Sequence, residues 1–336
     1  MPLASGLFFY QDMFAAVIPA LKLPRQLTGP FDYSIPEGLA PSVGVGSVVI
    51  VPWRGRAVTG IVFALRETAA IDPKKTKPVI AVAGAERVPA ELLSAIDWMA
   101  NHYMAAPGTV VRCFLPTVPK RSVSKADDLP KARVTRKRKA TACKGSVIRY
   151  ATPAAKFEET CRLVNASLAT KRGAIVVVPH AEDVVETVAL MRREFGDEIV
   201  VECHGEMAMT PLWKSWQRAA SPEPVVVVGT RMAVGSPVSD LGAVIVLESD
   251  SADLKQYDQN PRYDARAVAL HRARAAGATI AFMSHAPRAE EYALVRDAGF
   301  AWKEVGTSGT PDDISLAEPG RKIGRASCRE RVYVLV

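Results

Sequence analysis

Cysteine is scarce in this chain. There are five in 336 residues (Cys113, Cys143, Cys161, Cys203 and Cys328), none in a CxxC pair and none at zinc-ligand spacing from a histidine. That speaks against a disulfide framework and against a zinc-binding pattern, and it fits reduced thiols. Long apolar runs are also missing. The most apolar stretch near the start, Leu3 to Leu21, is broken by Gln11, Asp12 and Pro19 and has no basic region before it. It is neither a membrane span nor a secretion signal, so a cytoplasmic protein without membrane partners is expected. No internal repeat is present. A dinucleotide enzyme would need a GxGxxG turn after its first strand. Here the run Ile175–Val178 is followed by Pro179-His180-Ala181-Glu182, which argues against that class.

What is present is a globular composition, 49% hydrophobic and 23% charged, and a net charge of +8 with an uneven distribution. Between Lys120 and Lys144 stand ten Lys and Arg against only Asp127 and Asp128. This stretch carries the whole excess, and the rest of the chain is balanced. A local basic segment of that kind suits a phosphate backbone, although a merely solvated charge run has the same composition.

Three textures follow one another. From about Phe14 to Thr117, short β-rich runs (Ala15–Ile18, Val48–Val51, Thr59–Phe63) alternate with Pro and Gly turns, and apolar spacing predicts a helix over Ala90–Tyr103. The segment 119–146 is rich in Lys, Arg, Ser and Thr, holds Pro119 and Pro130, and reads as a linker. From Val147 to about 320, apolar runs without polar alternation (Ala174–Val178, Glu198–Val201, Val225–Val228, Ala243–Leu247, Thr279–Met283) alternate with helical segments. Those segments are Ala154–Thr170, Ala181–Phe195, Pro211–Ala220 and Arg262–Ala276. Strands buried on both faces and separated by helices imply an α/β fold with a doubly wound parallel sheet.

The order of short peptides sharpens this. Gly229-Thr230-Arg231 precedes Leu247-Glu248-Ser249-Asp250, then Lys255-Gln256, then Pro261-Arg262-Tyr263-Asp264-Ala265-Arg266. Near the start stand Gly29-Pro30-Phe31-Asp32-Tyr33-Ser34-Ile35-Pro36, Val48-Val49-Ile50-Val51-Pro52-Trp53 and Thr59-Gly60-Ile61-Val62, with Tyr103–Gly108 further on. Over 14–118 and 147–320 the sequence resembles the PriA family of primosomal replication-restart proteins, which are superfamily 2 DNA helicases.

The resemblance implies a β-rich, barrel-like N-terminal DNA-binding domain (14–118), a basic linker (119–146) and a RecA-like lobe (147–320). It implies capture of the 3′ end of a leading strand at an arrested fork by Phe31, Asp32, Tyr33 and Lys77. An aromatic ring stacks on the terminal base, the carboxylate accepts hydrogen bonds, and the lysine meets phosphate. Core packing of Phe31 and Tyr33 and a turn cap by Asp32 are the plainer readings. Arg54 or Gly55 takes the place of a family glycine. Arg231 is expected at a DNA strand or in an ion pair within the lobe, and Arg136, Lys137, Arg138 and Lys139 on the DNA backbone. Forked or single-stranded DNA, primosome proteins and single-strand-binding proteins are the partners the resemblance implies, at the nucleoid.

The family also uses ATP, magnesium and structural zinc. Its phosphate loop, GxTGSGKT, is here Tyr150-Ala151-Thr152-Pro153-Ala154-Ala155-Lys156-Phe157, with every loop glycine gone. Backbone amides cannot turn around a phosphate without them, and Pro153 has no amide hydrogen. Leu247, Ser249 and Asp250 replace three residues of the acidic box, leaving Glu248, and Ser284-His285-Ala286-Pro287 stands where the family couples hydrolysis to DNA. Lys156 and Glu248 are what remains of the ATP site. The expectation is a DNA-binding protein without ATPase or helicase activity, without a catalytic residue, cofactor or metal. The alternative is a working ATP-dependent 3′-to-5′ helicase whose second lobe lies beyond this sequence. The family's winged-helix module and zinc-bearing second lobe have no counterpart here. Residues 323–336 (Ile323-Gly324-Arg325-Ala326-Ser327-Cys328 and onward) read as a translated sequencing adapter, so the reading frame is expected to continue; a genuine basic tail is the other reading.

Overall fold

The computed structural model describes residues 13–119 and 142–306, apart from residues 25 and 28, and these belong to one compact unit. Residues 120–141 and 307–336, which include Arg136–Lys139 and the proposed adapter tail, lie outside the described residues.

The chain begins with strands β1 (Phe14–Pro19), β2 (Phe31–Ser34), β3 (Ser47–Trp53), β4 (Arg56–Arg66), β5 (Lys77–Pro78) and β6 (Ala81–Arg87). They form one sheet in the order β5-β2-β1-β4-β3-β6, antiparallel except for the short β2–β5 pair. Successive side chains of a strand point to opposite faces, and both faces of this sheet are covered. Val49 and Val51 of β3 and Val62 of β4 turn into one cluster with Tyr33, Leu39 and Val43. Val48 and Ile61 turn the other way, toward α1 (Ala90–His102) and α2 (Pro107–Phe114). That explains why β1, FAAVIP, is buried along its whole length and shows no polar alternation.

The second sheet has seven strands, all parallel: β7 (Lys144–Tyr150), β8 (Gly173–Val177), β9 (Val200–Cys203), β10 (Val226–Gly229), β11 (Leu241–Leu247), β12 (Thr279–Ser284) and β13 (Ala301–Val305). Their order is β13-β7-β12-β11-β8-β10-β9. α3 (Pro153–Ala169) and α4 (Ala181–Phe195) cover one face. α5 (Met209–Ala220), α6 (Ala265–Ala276) and α7 (Ala289–Ala298) cover the other, where α1 and α2 of the first region also pack. The doubly wound parallel sheet expected from the sequence is therefore present.

Two strands of this sheet and two helices of the chain had no counterpart in the sequence reading, nor had β2, β5 and β6 of the first sheet. β7 starts at Lys144, inside the stretch read as linker, and β13 is the polar edge strand beside it, with α7 before it; α2 is only eight residues long. Helix α6 starts three residues later than expected, because the Asp264 carboxylate accepts from the Arg266 amide at 2.9 Å and caps it there. Among the described residues no helix is long and apolar enough to cross a membrane.

The two sheets share one hydrophobic cluster, and specific contacts tie them. The Arg272 guanidinium of α6, 1% exposed, donates to the carbonyls of Val234 and Ser236 at 2.6 and 2.9 Å and to Glu91 of α1 at 3.2 Å. Trp98 of α1 stacks on His271 of α6 with ring centres 4.7 Å apart, and the Trp216 indole donates to the Phe114 carbonyl at 3.2 Å. Gly235 permits this approach, since a Cβ there would stand 2.0 Å from the Phe114 ring.

Candidate functional site

Two hollows gather the residues singled out by the sequence. The first, of about 400 Å³, lies at the end of the first sheet and brings together Phe31, Asp32, Tyr33 and Lys77. Strand β2 lays Tyr33 opposite Lys77 of β5, which places the lysine at the rim with its side chain exposed. Trp53 meets the edge of Phe31, with ring centres 4.7 Å apart and planes at 72°. Trp53 ends β3 and Arg56 opens β4, and the two pair across a two-residue turn. Arg54 and Gly55 in that turn have φ of 47° and 81°, the left-handed geometry a tight hairpin requires. The turn aims Arg54 at the hollow, where Lys75 joins it; Leu27 and Ile71, 38% and 54% exposed, complete an apolar lip. Among the described residues, the side chains of Arg54, Lys75 and Lys77 form no ion pair.

The sequence reading assigned Asp32 to the DNA end. Its carboxylate is instead enclosed, 2% exposed, and bound within the fold. It accepts from Arg66 at 3.0 and 3.3 Å and from the Ala70 amide at 2.7 Å. Arg66 lies two residues beyond Ala64 on β4, and Ala16 of β1 pairs with both Ala64 and Asp32. The guanidinium therefore crosses over a small alanine to reach the acid. Asp32 fixes the segment after β4, which returns as the wall carrying Lys75 and Lys77. Tyr33 is a core residue; its hydroxyl donates to the Pro52 carbonyl at 3.4 Å, and burial pushes its pKa up to about 12. Phe31, Trp53, the apolar lip and the cations are what the hollow presents to solvent. Trp53 and Lys75 were missed in the sequence. The signal for them was the Arg54-Gly55 turn that brings the strand end round.

The second hollow, of about 590 Å³, lies at the carboxyl ends of β8 and β11, between α3 and α4, which is where parallel α/β sheets hold ligands. It unites Lys156 and Glu248, separated by 92 residues and joined here at 2.7 Å. The Tyr150 hydroxyl donates to the other Glu248 oxygen. Burial raises the Glu248 pKa, but hydrogen bonds from Lys156 and Tyr150 outweigh it, and the carboxyl is held below the usual range. Burial first, then the bond to Glu248, pushes the Tyr150 pKa up. At the start of α3, Pro153 has no amide hydrogen, and the Ala155 amide donates to the Thr152 hydroxyl at 3.2 Å. Phe157, Asp183, Glu186 and Asp250 also line the space. Lys156 is already paired with Glu248, the first amide of α3 is taken by its Thr152 cap, and the three carboxylates of Asp183, Glu186 and Asp250 add negative charge to the lining.

Arg231 sits in neither hollow. It lines a groove of about 690 Å³ with Lys22, Arg112, Gln256 and Tyr263, and its guanidinium donates to the Asp253 carbonyl at 3.2 Å. The expected alternative, a carboxylate pair within the lobe, is replaced by this bond to the backbone.

Against known proteins, residues 20–116 match the 3′DNA-binding domain (3′BD) of PriA. The replication restart protein PriA of Rickettsia conorii (strain ATCC VR-613 / Malish 7) is 26% identical over 292 residues, spanning 81% of this chain and 43% of the relative. That of Bacillus subtilis (strain 168) is 30% identical over 142 residues, 42% of this chain and 17% of the relative. The chain thus spans less than half the length of these curated relatives. Among solved structures, the Pyrococcus furiosus Hef helicase domain aligns with 49% of this chain and 35% of its own at 18% identity, with a TM-score of 0.37.

Proposed function

We propose that this chain, a relative of the replication restart proteins PriA, binds the free 3′ end of a DNA strand at an arrested fork through the hollow at β2, and that its parallel-sheet lobe supports this without turning over ATP. The observation that carries the reading is a convergence. Within the stretch similar to a 3′DNA-binding domain, two aromatic rings and three cations, with no ion pair among the described residues, line one open hollow. Aromatic faces stack on a base whatever its identity, and cations meet the flanking phosphates. Forked or single-stranded DNA is the ligand. Arg136–Lys139 add backbone affinity that falls steeply with salt. Primosome and single-strand-binding proteins are partners in the same reading, in the cytoplasm at the nucleoid.

The reading without ATP turnover is supported by the Lys156–Glu248 pair, the capped start of α3 and the carboxylates around them. One binding experiment tests the first half. A linear single strand should bind more tightly than the same sequence closed into a circle. Trp53→Ala should remove that difference, a loss of about 5- to 100-fold for one stacked base. Equal binding of line and circle overturns the strand-end reading. For the second half, steady-state assays with forked DNA should show no ATP turnover. Turnover that vanishes on Lys156→Ala would favour the ATP-dependent 3′-to-5′ helicase instead.

A further inference from the structure

We infer that the joint between the two sheets is a proton-sensitive contact, centred on His271, that weakens as pH falls below neutral. It stands apart from the strand-end reading. Trp98 of α1 stacks with His271 of α6 and with His102 of its own helix, ring centres 4.7 Å apart in both pairs and planes 14° and 16° apart. His102 in turn meets the edge of Tyr103, whose hydroxyl accepts from the amide of Asp264, the cap of α6, at 3.1 Å. One indole thus joins two imidazoles across the seam, and histidine is the side chain whose charge changes near neutral pH.

The surroundings of His271 favour its neutral form. Its ring is half-buried, and Nε2 lies 3.3 Å from the Ser94 hydroxyl, which can donate or accept. Helix α6 itself carries Arg266, paired with Asp264, Arg272, paired with Glu91, and Arg274, one turn beyond His271. From α1 come Glu91, His102 and the exposed Asp97. β11 and β12, which α6 covers, have no charged side chain, and Arg231 of the 3₁₀ turn Arg231–Gly235 is bound to the Asp253 carbonyl. Burial, and then the Arg274 charge, hold the His271 pKa below its ordinary value of 6.5. An imidazolium is attracted to an indole face, which acts the other way. Here His102 draws on the same indole, so a second positive ring gains less. The stability that neutral His271 gives is therefore complete above pH 6.5 and is lost as pH falls below that value. Glu91 has the opposite sign, because burial pushes its carboxyl up and its protonation favours the folded chain.

The test is urea unfolding of the whole chain between about pH 7.5 and about pH 5.5, with His271→Phe beside the wild type. Phenylalanine keeps a ring against Trp98 and takes up no proton. The wild-type midpoint should fall further than that of the variant, and the contribution of Glu91, common to both, cancels. Parallel profiles overturn the inference. Proton NMR gives a reading that packing alone would not move. The His271 signal, identified by its loss in the variant, should titrate below pH 6.5, and in Arg274→Gln its midpoint should rise. Titration above 6.5 in the wild type overturns the inference, since attraction to the indole then outweighs burial and Arg274. Circular dichroism checks that both variants fold. Arg274 is exposed, so the Arg274→Gln arm stands whatever position 271 tolerates.

Discussion

A buried carboxylate holds the wall of the first hollow in place. Asp32 belongs to the wall, and removing it should show as instability first. Asp32→Ala leaves the Ala70 amide and the Arg66 guanidinium without their acceptor, which should cost about 1–3 kcal/mol in urea unfolding. The segment between Arg66 and Lys77 should become cleavable by protease in the same variant. Glu248 gives a second residue-scale prediction, in pH. Its carboxyl titrates lower in the folded chain than its ordinary value of 4.5, so the stability it adds is complete above that pH and is lost as pH falls through the folded value. The melting temperatures of the wild type and Glu248→Gln should differ at pH 7 and converge toward pH 3. A gap that stays constant with pH would show that the Lys156 pair adds nothing. Arg66, 34 residues from Asp32, was not legible in the sequence, because spacing carries no information about contacts that a sheet register creates. Lys156 and Glu248, 92 residues apart, were brought together beforehand only by the family resemblance.

Among the elements, α1 and α6 carry the joint between the two sheets. Breaking a buried ion pair by removing one partner leaves the other charge unsatisfied, so Arg272→Ala should destabilise by about 3–5 kcal/mol in chemical denaturation. The joint replacement Arg272→Met/Glu91→Leu should recover most of that loss, because two apolar side chains leave no charge behind. Legibility at this scale followed burial. The runs Val225–Val228 and Ala243–Leu247 were read correctly because β10 and β11 are covered on both faces and therefore wholly apolar. Strand β7 was missed because its first half, Lys144-Gly145-Ser146, is polar and continues the basic stretch. Strand β13 was missed because an edge position tolerates Lys303 and Glu304. Helix α2 is too short for periodicity to declare itself, and packing against the lobe, not intrinsic preference, sustains it.

At the scale of the whole molecule, the resemblance implied an N-terminal domain and a separate lobe, and side chains from both sheets meet in one continuous core. Native-state hydrogen exchange in mild urea should give amides of β1 and β3 the same opening free energy as those of β8 and β10. A lower value confined to the first sheet would mean that it opens alone. The shared core has a consequence for geometry as well as for stability. Arg272, Trp98 and Phe114 fasten the sheet that holds the hollow to the sheet beside it, so the mouth of the hollow has one fixed bearing within the molecule. A strand end seated there would leave along a direction set once, at folding.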